Sequence, residues 1–308
     1  MNSNTDTATK SFERPLSKAY KKHRILLTGD LGFIGSRLKD RLREMGHDVI
    51  GFDIKWGEGM DVRKRQDVMN AFSVHKPTIV FHLAALAGVI KGEENPQDFM
   101  DTNVSGTEYM LEAASKHKVE QFVFFSSSSV YGNQQPPNQE GYALSPISTY
   151  GATKALGEDR VQKSGLNWTI IRPFTVYGEN GRKDMVIYKW LEDVMSERPI
   201  HVRGDGSSKR GYAYVGDVVE GCALVLDNPK AFGEVFNLGG SEIITIQEVA
   251  DTYKEVFGEK AQLVYDPMPD WDVAENWADI TKAREVLGWE PKGQFISTLR
   301  KILNDARQ

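Results

Sequence analysis

Tyr150 and Lys154 stand four residues apart in Thr149-Tyr150-Gly151-Ala152-Thr153-Lys154. On a helix, that spacing puts both side chains on one face. A phenol titrates near ~10, and an adjacent ammonium favours its ionised form, so the pair can supply a base near neutral pH. Upstream, Gln121-Phe122-Val123-Phe124-Phe125 runs into Ser126-Ser127-Ser128-Ser129-Val130-Tyr131-Gly132. Hydroxyls at the carboxyl end of a parallel strand sit at the ligand edge of an open sheet. A third constellation is Gly29-Asp30-Leu31-Gly32-Phe33-Ile34-Gly35, a spacing variant of the dinucleotide fingerprint. Its glycines allow a tight turn and close approach of a pyrophosphate, and the helix that follows offers free N–H groups to the phosphates. Asp53 comes 24 residues after Gly29. A carboxylate there accepts from a ribose 2′-hydroxyl and repels a 2′-phosphate, which favours NAD over NADP.

The elements that must position these residues follow from apolar patterning. Ile25-Leu26-Leu27, Val49 to Phe52, Thr78 to Phe81, Gln121 to Phe125 and Trp168 to Ile171 read as short buried strands. Helical stretches are expected over Leu31–Met45, Arg65–Val74, Phe99–His117 and Thr149–Lys163. Strands alternating with helices predict an α/β fold with a Rossmann-type, doubly wound parallel sheet. After Pro173 the rhythm loosens. Helices at Met185–Glu197, Asp217–Leu226 and Thr245–Val256 alternate with strand-like pieces at 200–203, 212–215 and 235–238. The expected division is a flexible arm at 1–22, a cofactor-binding domain at 23–173 with parts of 204–240 returning to it, and a smaller lobe at 174–308.

The chain has 308 residues, 38 Lys plus Arg and 43 Asp plus Glu, for a net charge of −5. That balance speaks against nucleic acid as a partner. No apolar run reaches the ~18–20 residues of a membrane span, and residues 1–22 lack the apolar core of a secretory signal. A soluble, cytoplasmic protein is expected. Cys222 is the only cysteine, which excludes an intrachain disulfide and a Cys-based zinc site. No metal is expected. His82 reads as a packed histidine, Cys222 as buried and inert, and Asp217 as a helix cap.

Taken together, these motifs resemble extended short-chain dehydrogenase/reductases of the NAD-dependent nucleotide-sugar epimerase/dehydratase branch, nearest its UDP-glucuronate 4-epimerase-like members. The resemblance runs from about Arg24 to the C-terminus. It also rests on Asp61-Val62, His82-Leu83-Ala84-Ala85, Asn103-Val104-Ser105-Gly106-Thr107, Arg172-Pro173-Phe174-Thr175-Val176-Tyr177-Gly178, Gly204-Asp205-Gly206 with Arg210, and Trp277-Ala278-Asp279. It implies that Gly29, Gly32, Phe33, Ile34, Gly35 and Asp53 bind NAD. Asp61 and Val62 would meet adenine, and Leu83, Ala84, Ala85, Asn103, Pro173, Tyr150 and Lys154 would complete the cofactor site. Ser127, Tyr150 and Lys154 would be catalytic. Ser127, Ser128, Ser129, Thr175, Arg182 and Arg210 would bind a UDP-sugar, Arg210 at the diphosphate and Arg182 at a C6 carboxylate.

The implied chemistry is epimerisation at C4 through a transient 4-keto sugar. Related dehydratases carry Asp-Glu directly after the catalytic hydroxyl residue, and decarboxylases keep a Glu. Ser128 and Ser129 stand there instead. UDP-glucuronate/UDP-galacturonate is the leading pair. The alternatives are a UDP-glucose 4-epimerase, a dehydratase on the same scaffold, and a non-catalytic NAD-binding regulator. One departure is Leu86-Ala87-Gly88-Val89-Ile90-Lys91-Gly92, where glucuronate enzymes carry Gln-Ala-Gly-Val-Arg-Tyr-Ser. The resemblance also implies a homodimer through the helices at Phe99–His117 and Thr149–Lys163.

Overall fold

The computed structural model describes residues 21–269 and 273–308. The expected arm at 1–22 lies, up to residue 20, outside the described residues. The chain opens with β1 (Arg24–Thr28), α1 (Phe33–Glu44), β2 (Asp48–Phe52), α2 (Arg65–His75) and β3 (Ile79–His82). Helices α3 (Val89–Glu94), α4 (Pro96–Phe99) and α5 (Gly106–Lys116) lead to β4 (Gln121–Phe125). Then come α6 (Thr149–Gln162), β5 (Trp168–Pro173), β6 (Thr175–Tyr177), α7 (Val186–Met195), β7 (Ile200–Arg203), β8 (Lys209–Tyr214) and α8 (Val215–Leu224). The remainder is β9 (Glu234–Leu238), β10 (Ile243–Thr245), α9 (Ile246–Phe257), β11 (Leu263–Asp266), β12 (Glu275–Asn276) and α10 (Phe295–Arg307).

Six strands form a parallel sheet in the order β2-β1-β3-β4-β5-β9. Side chains alternate across a strand. Ile25 and Leu27 accordingly join a core with Leu38 and Leu42 of α1 and Val218 and Cys222 of α8. Leu26 faces the other way, into a core with Phe72 of α2, Met110 of α5 and Val161 of α6. Burial on both faces is why these strands are continuously apolar. The Rossmann-type doubly wound fold is therefore observed. Because β1 lies between β2 and β3, the strand order reverses there, and ligands bind in the crevice beyond the carboxyl ends at such a point.

The rest of the chain builds a second body of structure. Strand β8 pairs with β6, β10 and β12, and β7 pairs with β11. A separate core holds Tyr177, Trp190, Tyr212, Tyr253, Phe295 and Leu299. Strand β9 leaves this region to close the edge of the main sheet beside β5.

The single helix expected over Phe99–His117 is instead α4, a wide π-type segment at Met100–Ser105, and α5. Asn103 lies in the wide segment. Its side chain accepts from the Leu86 N–H (2.8 Å) and donates to the Leu86 carbonyl (3.0 Å) and Thr153 Oγ1 (3.0 Å). The widened turn thus ties the loop after β3 to α6, and π-type turns are frequent at functional sites. No helix among the described residues is long and apolar enough to cross a membrane.

Candidate active site

The glycine turn works by close approach. Gly29 has φ +71°, and a Cβ there would lie 2.9 Å from the Ala84 nitrogen. A Cβ on Gly35 would lie 2.1 Å from the Gly29 carbonyl oxygen. Helix α1 therefore packs flush against the end of β1. Its N-cap residue, Gly32, supplies no side-chain cap, and its first turn carries no acidic residue. Those N–H groups are left for an anion. Asp53, at the end of β2, accepts from the Lys55 N–H (2.9 Å) and the Leu31 N–H (3.3 Å), so it also braces the turn.

The second wall rises from β4 and α6. Ser127 caps the turn at 128–130: its Oγ accepts from the Ser129 N–H (3.1 Å) and donates to Ser129 Oγ (3.2 Å). Ser128 Oγ accepts from Asn276 Nδ2 (3.2 Å), which brings β12 to the serine run. Ser148 caps α6 by accepting from the Gly151 N–H (3.1 Å), which places Tyr150 in the first turn and Lys154 one turn on. Lys154 is 3% exposed, with its ammonium 4.5 Å over the Phe124 ring. Behind it, Glu158 accepts two bonds from Arg172 (2.6 and 2.8 Å), and Arg172 also donates to the Tyr131 hydroxyl (2.8 Å).

Burial dominates the titration of the pair. It pushes the Tyr150 phenol up, against the Ser127 hydrogen bond and the Arg182 charge, which favour the phenolate, while Asp184 opposes it. Burial lowers Lys154 to about 7, opposed by Glu158. The spacing predicts that Lys154 lowers Tyr150; in the structure the groups acting on the phenol are Ser127, Arg182 and Asp184, and desolvation dominates because the charged form loses water. His82 is packed as expected, between Thr28 Oγ1 (2.8 Å) and Thr107 Oγ1 (3.0 Å), and burial lowers it to about 3.

One cleft of about 760 Å³ joins these parts. Gly29, Gly32, Phe33, Ile34, Gly35, Leu83, Ala85, Ser127, Ser128, Ser129, Tyr150, Lys154, Pro173, Thr175, Arg182 and Arg210 all line it. Asp53, Asp61, Val62, Ala84 and Asn103 lie off its walls. Asp61 pairs with Arg63 (2.7 Å), and Val62 packs under Gly106.

The sequence reading passed over several cleft residues, including Lys91, Lys183, Asp184 and Asn276. It also passed over Asp30, which is fully buried and accepts from Lys39 Nζ (2.8 Å) and the Trp56 indole (3.0 Å). Arg182 donates through Nε and Nη2 to the two Asp184 oxygens (3.0 and 2.6 Å). Among the described lining residues, Lys91, Lys154, Arg182, Lys183 and Arg210 are cationic and Asp184 is anionic, in a chain whose net charge is −5. Such a cleft suits a dinucleotide and a second phosphate-bearing ligand. The glycine cradle, the uncapped helix and the buried, unpartnered Ser126 Oγ on the cleft wall all fit the first.

Comparison with known proteins agrees. The chain is 33% identical to a UDP-glucuronate 4-epimerase of Thermodesulfobacterium geofontis (strain OPF15), over 92% of this chain and 96% of that protein. It is 33% identical to the uncharacterised UDP-glucose epimerase YtcB of Bacillus subtilis (strain 168), over 87% and 93%. The crystal structure of UDP-glucuronic acid 4-epimerase from Bacillus cereus with UDP-glucuronic acid and NAD superposes with a TM-score of 0.84 at 27% identity, covering 92% of this chain and 99% of that one. Residues 25–239, which hold the glycine turn, the serine run and the Tyr–Lys helix, match the NAD dependent epimerase/dehydratase family, and the chain is a member of it with NAD as its cofactor.

Proposed function

We propose that this chain interconverts the C4 epimers of a UDP-linked uronic acid, UDP-glucuronate and UDP-galacturonate, through a transient 4-keto sugar. The observation that carries the reading is the single cleft that Ser127, Tyr150 and Lys154 share with Ser128, Thr175 and Arg182. When bound, NAD supplies the hydride acceptor for C4 and the source of its return. Tyr150 Oη takes the proton from the 4-hydroxyl and gives it back. Lys154 offsets the phenolate charge in a site where water cannot. Ser127, already within reach of Tyr150, hydrogen-bonds the reacting oxygen. Arg210, on β8, is assigned to the diphosphate, for which a guanidinium is well shaped. Thr175, Ser128 and Arg182 are assigned to the C6 carboxylate. Ser128 and Ser129 hold no carboxyl group to move protons at C5 and C6, which favours epimerisation over dehydration.

In the same reading, residues 23–173 with β9 form the cofactor half and most of 174–308 the sugar half. A homodimer would form through the helices at 96–116 and α6, where Met100 and Leu156 are exposed. A second reading, a UDP-glucose/UDP-galactose 4-epimerase, is favoured by Asp184, which already offsets the Arg182 charge. The test is proton NMR of the NAD-loaded protein with UDP-glucuronate and, separately, with UDP-glucose. Formation of UDP-galacturonate, faster than any change in UDP-glucose, is expected. A faster reaction of UDP-glucose would move the substrate to the second reading. A pentose, an unsaturated sugar or no product would overturn epimerisation.

A further inference from the structure

The Arg182–Asp184 pair lines the cleft, and its geometry is one-sided. Asp184 grips the guanidinium side-on, through Nε (3.0 Å) and Nη2 (2.6 Å). This uses two of the five N–H donors of an arginine. The outer edge, Nη1 with the second hydrogen of Nη2, lies outside that grip. A second carboxylate can take such an edge in a parallel two-bond pair. The pair is also seated. Gly88, at φ +113°, passes beneath it, where a Cβ would come 3.1 Å from Asp184 Oδ2 and 3.7 Å from Arg182 Nη2. Both charges act on Tyr150, with opposite signs, and all three residues line the one cleft. Lys91 and Lys183 line the same cleft and offset the charge of a second carboxylate.

We propose that Asp184 is a positioning and specificity-determining residue: it fixes the guanidinium plane of Arg182 so that the outer edge meets the C6 carboxylate of a UDP-uronate. The inference rests on the uronate reading above. An unheld arginine loses rotamer freedom when it binds; an arginine already clamped does not. The discrimination lies in that edge, since a neutral 6-hydroxymethyl group cannot accept the two-bond pair. Asp184 itself does not touch the sugar in this scheme and acts through Arg182.

The test is calorimetric titration of UDP-glucuronate and UDP-glucose into the NAD-loaded protein, in a Tyr150→Phe background so that no turnover intervenes. Asp184→Ala and the isosteric Asp184→Asn should each weaken UDP-glucuronate about tenfold more than UDP-glucose, a coupling of the size found between contacting residues. Asp184→Glu should recover part of the loss. In an Arg182→Ala background, adding Asp184→Ala should change UDP-glucuronate binding by less than about twofold, because the partner it acts through is gone. Tighter UDP-glucuronate binding in Asp184→Ala would mean that Asp184 competes for the fork, and would overturn the proposal. Equal weakening of both sugars, or full additivity with Arg182→Ala, would overturn it as well. If Arg182→Ala selectively weakens the uronate but the Asp184 variants do not, this inference alone fails. If Arg182→Ala weakens both sugars equally, the uronate reading fails and takes this inference with it.

Discussion

Lys154 and Arg182 bring positive charge into the same cleft from walls of different construction. Lys154 lies one turn into α6, 3% exposed, over the Phe124 ring, with the Glu158–Arg172 pair behind it. Arg182 lies in irregular chain between β6 and α7, its side chain 39% exposed, and its partner is two residues away in the same turn. The first wall holds its charges in dehydrated protein, where each is expensive and each depends on a neighbour. The second keeps its pair near water, where it contributes little to the fold. Under the proposed function, proton transfer that every substrate requires falls on the buried wall, and recognition of one sugar substituent falls on the wall whose pair is only partly withdrawn from water.

The sharpest break in that contrast comes from Tyr150→Phe. Turnover should fall about 10³-fold, in the range expected for loss of a general base. The melting temperature and the amount of NAD co-purifying with the protein should hold, as measured by calorimetry and by release of nucleotide on denaturation. Turnover near wild type would remove Tyr150 from the chemistry. Next in size is Arg172→Met, which leaves Glu158 buried without its partner. A loss of roughly 3 kcal/mol in urea unfolding is expected. The double change Glu158→Gln/Arg172→Met should recover most of it, since a neutral replacement of both partners is tolerated far better than a broken pair. A double variant as unstable as the single one would show that the pair is not the framework of the buried wall.

Lys154→Met tests the same wall through pH. The folded-state value of Lys154 is lowered to about 7 from the ordinary 10.5. Below pH 7 both folded and unfolded chains hold the proton, and the buried ammonium burdens the fold in full. Between 7 and 10.5 the folded chain releases the proton while the unfolded chain keeps it, so the wild type gains stability as pH rises. Replacing Lys154 should therefore stabilise the protein by about 2 kcal/mol at pH 6, less than the full linkage because the surrounding protein relaxes around the buried charge. The gain should shrink toward pH 9, while turnover is lost. Melting curves at pH 6, 8 and 9 check this, and a gain that grows with pH would contradict it.

Most of the buried wall was legible in the sequence, because its residues are local to regular elements. The buried strands announce themselves by continuous apolar runs, and Tyr150 and Lys154 by helical spacing. What escaped depends on distant partners. The π-type segment at Met100–Ser105 is fixed by Asn103 reaching Leu86 and Thr153, which no period in the sequence reports. Strands β10 and β12 are three and two residues long and exist only against β8. Asp217 reads as a cap but lies inside α8, where it accepts from the Lys292 and Gly293 N–H groups 75 and 76 residues on. Helix α10 did have a signal, with Phe295, Leu299 and Leu303 buried at four-residue spacing, and it was passed over. The Arg182–Asp184 grip was invisible for a different reason. Residues two apart do not face each other on a helix, and only the turn that carries them brings the side chains together.

Arg182→Ala is expected to have the smallest effect on stability and to sharpen the comparison most. Its side chain is 39% exposed and that of Asp184 30% exposed, so the pair is only partly withdrawn from water. Exposed ion pairs contribute no more than about 1 kcal/mol, and urea unfolding of the variant should stay within that of the wild type. The ratio of kcat/KM for UDP-glucuronate to that for UDP-glucose should nevertheless drop about tenfold, the effect of removing one charge-assisted fork from a single substituent. The two readouts must part company for the contrast to hold. If Arg182→Ala costs as much stability as Arg172→Met, then the guanidinium belongs to the framework, as the buried wall does. If stability holds but the ratio does too, then Arg182 is a solvated loop residue, and specificity must be sought at Lys91, Lys183 or the serine run.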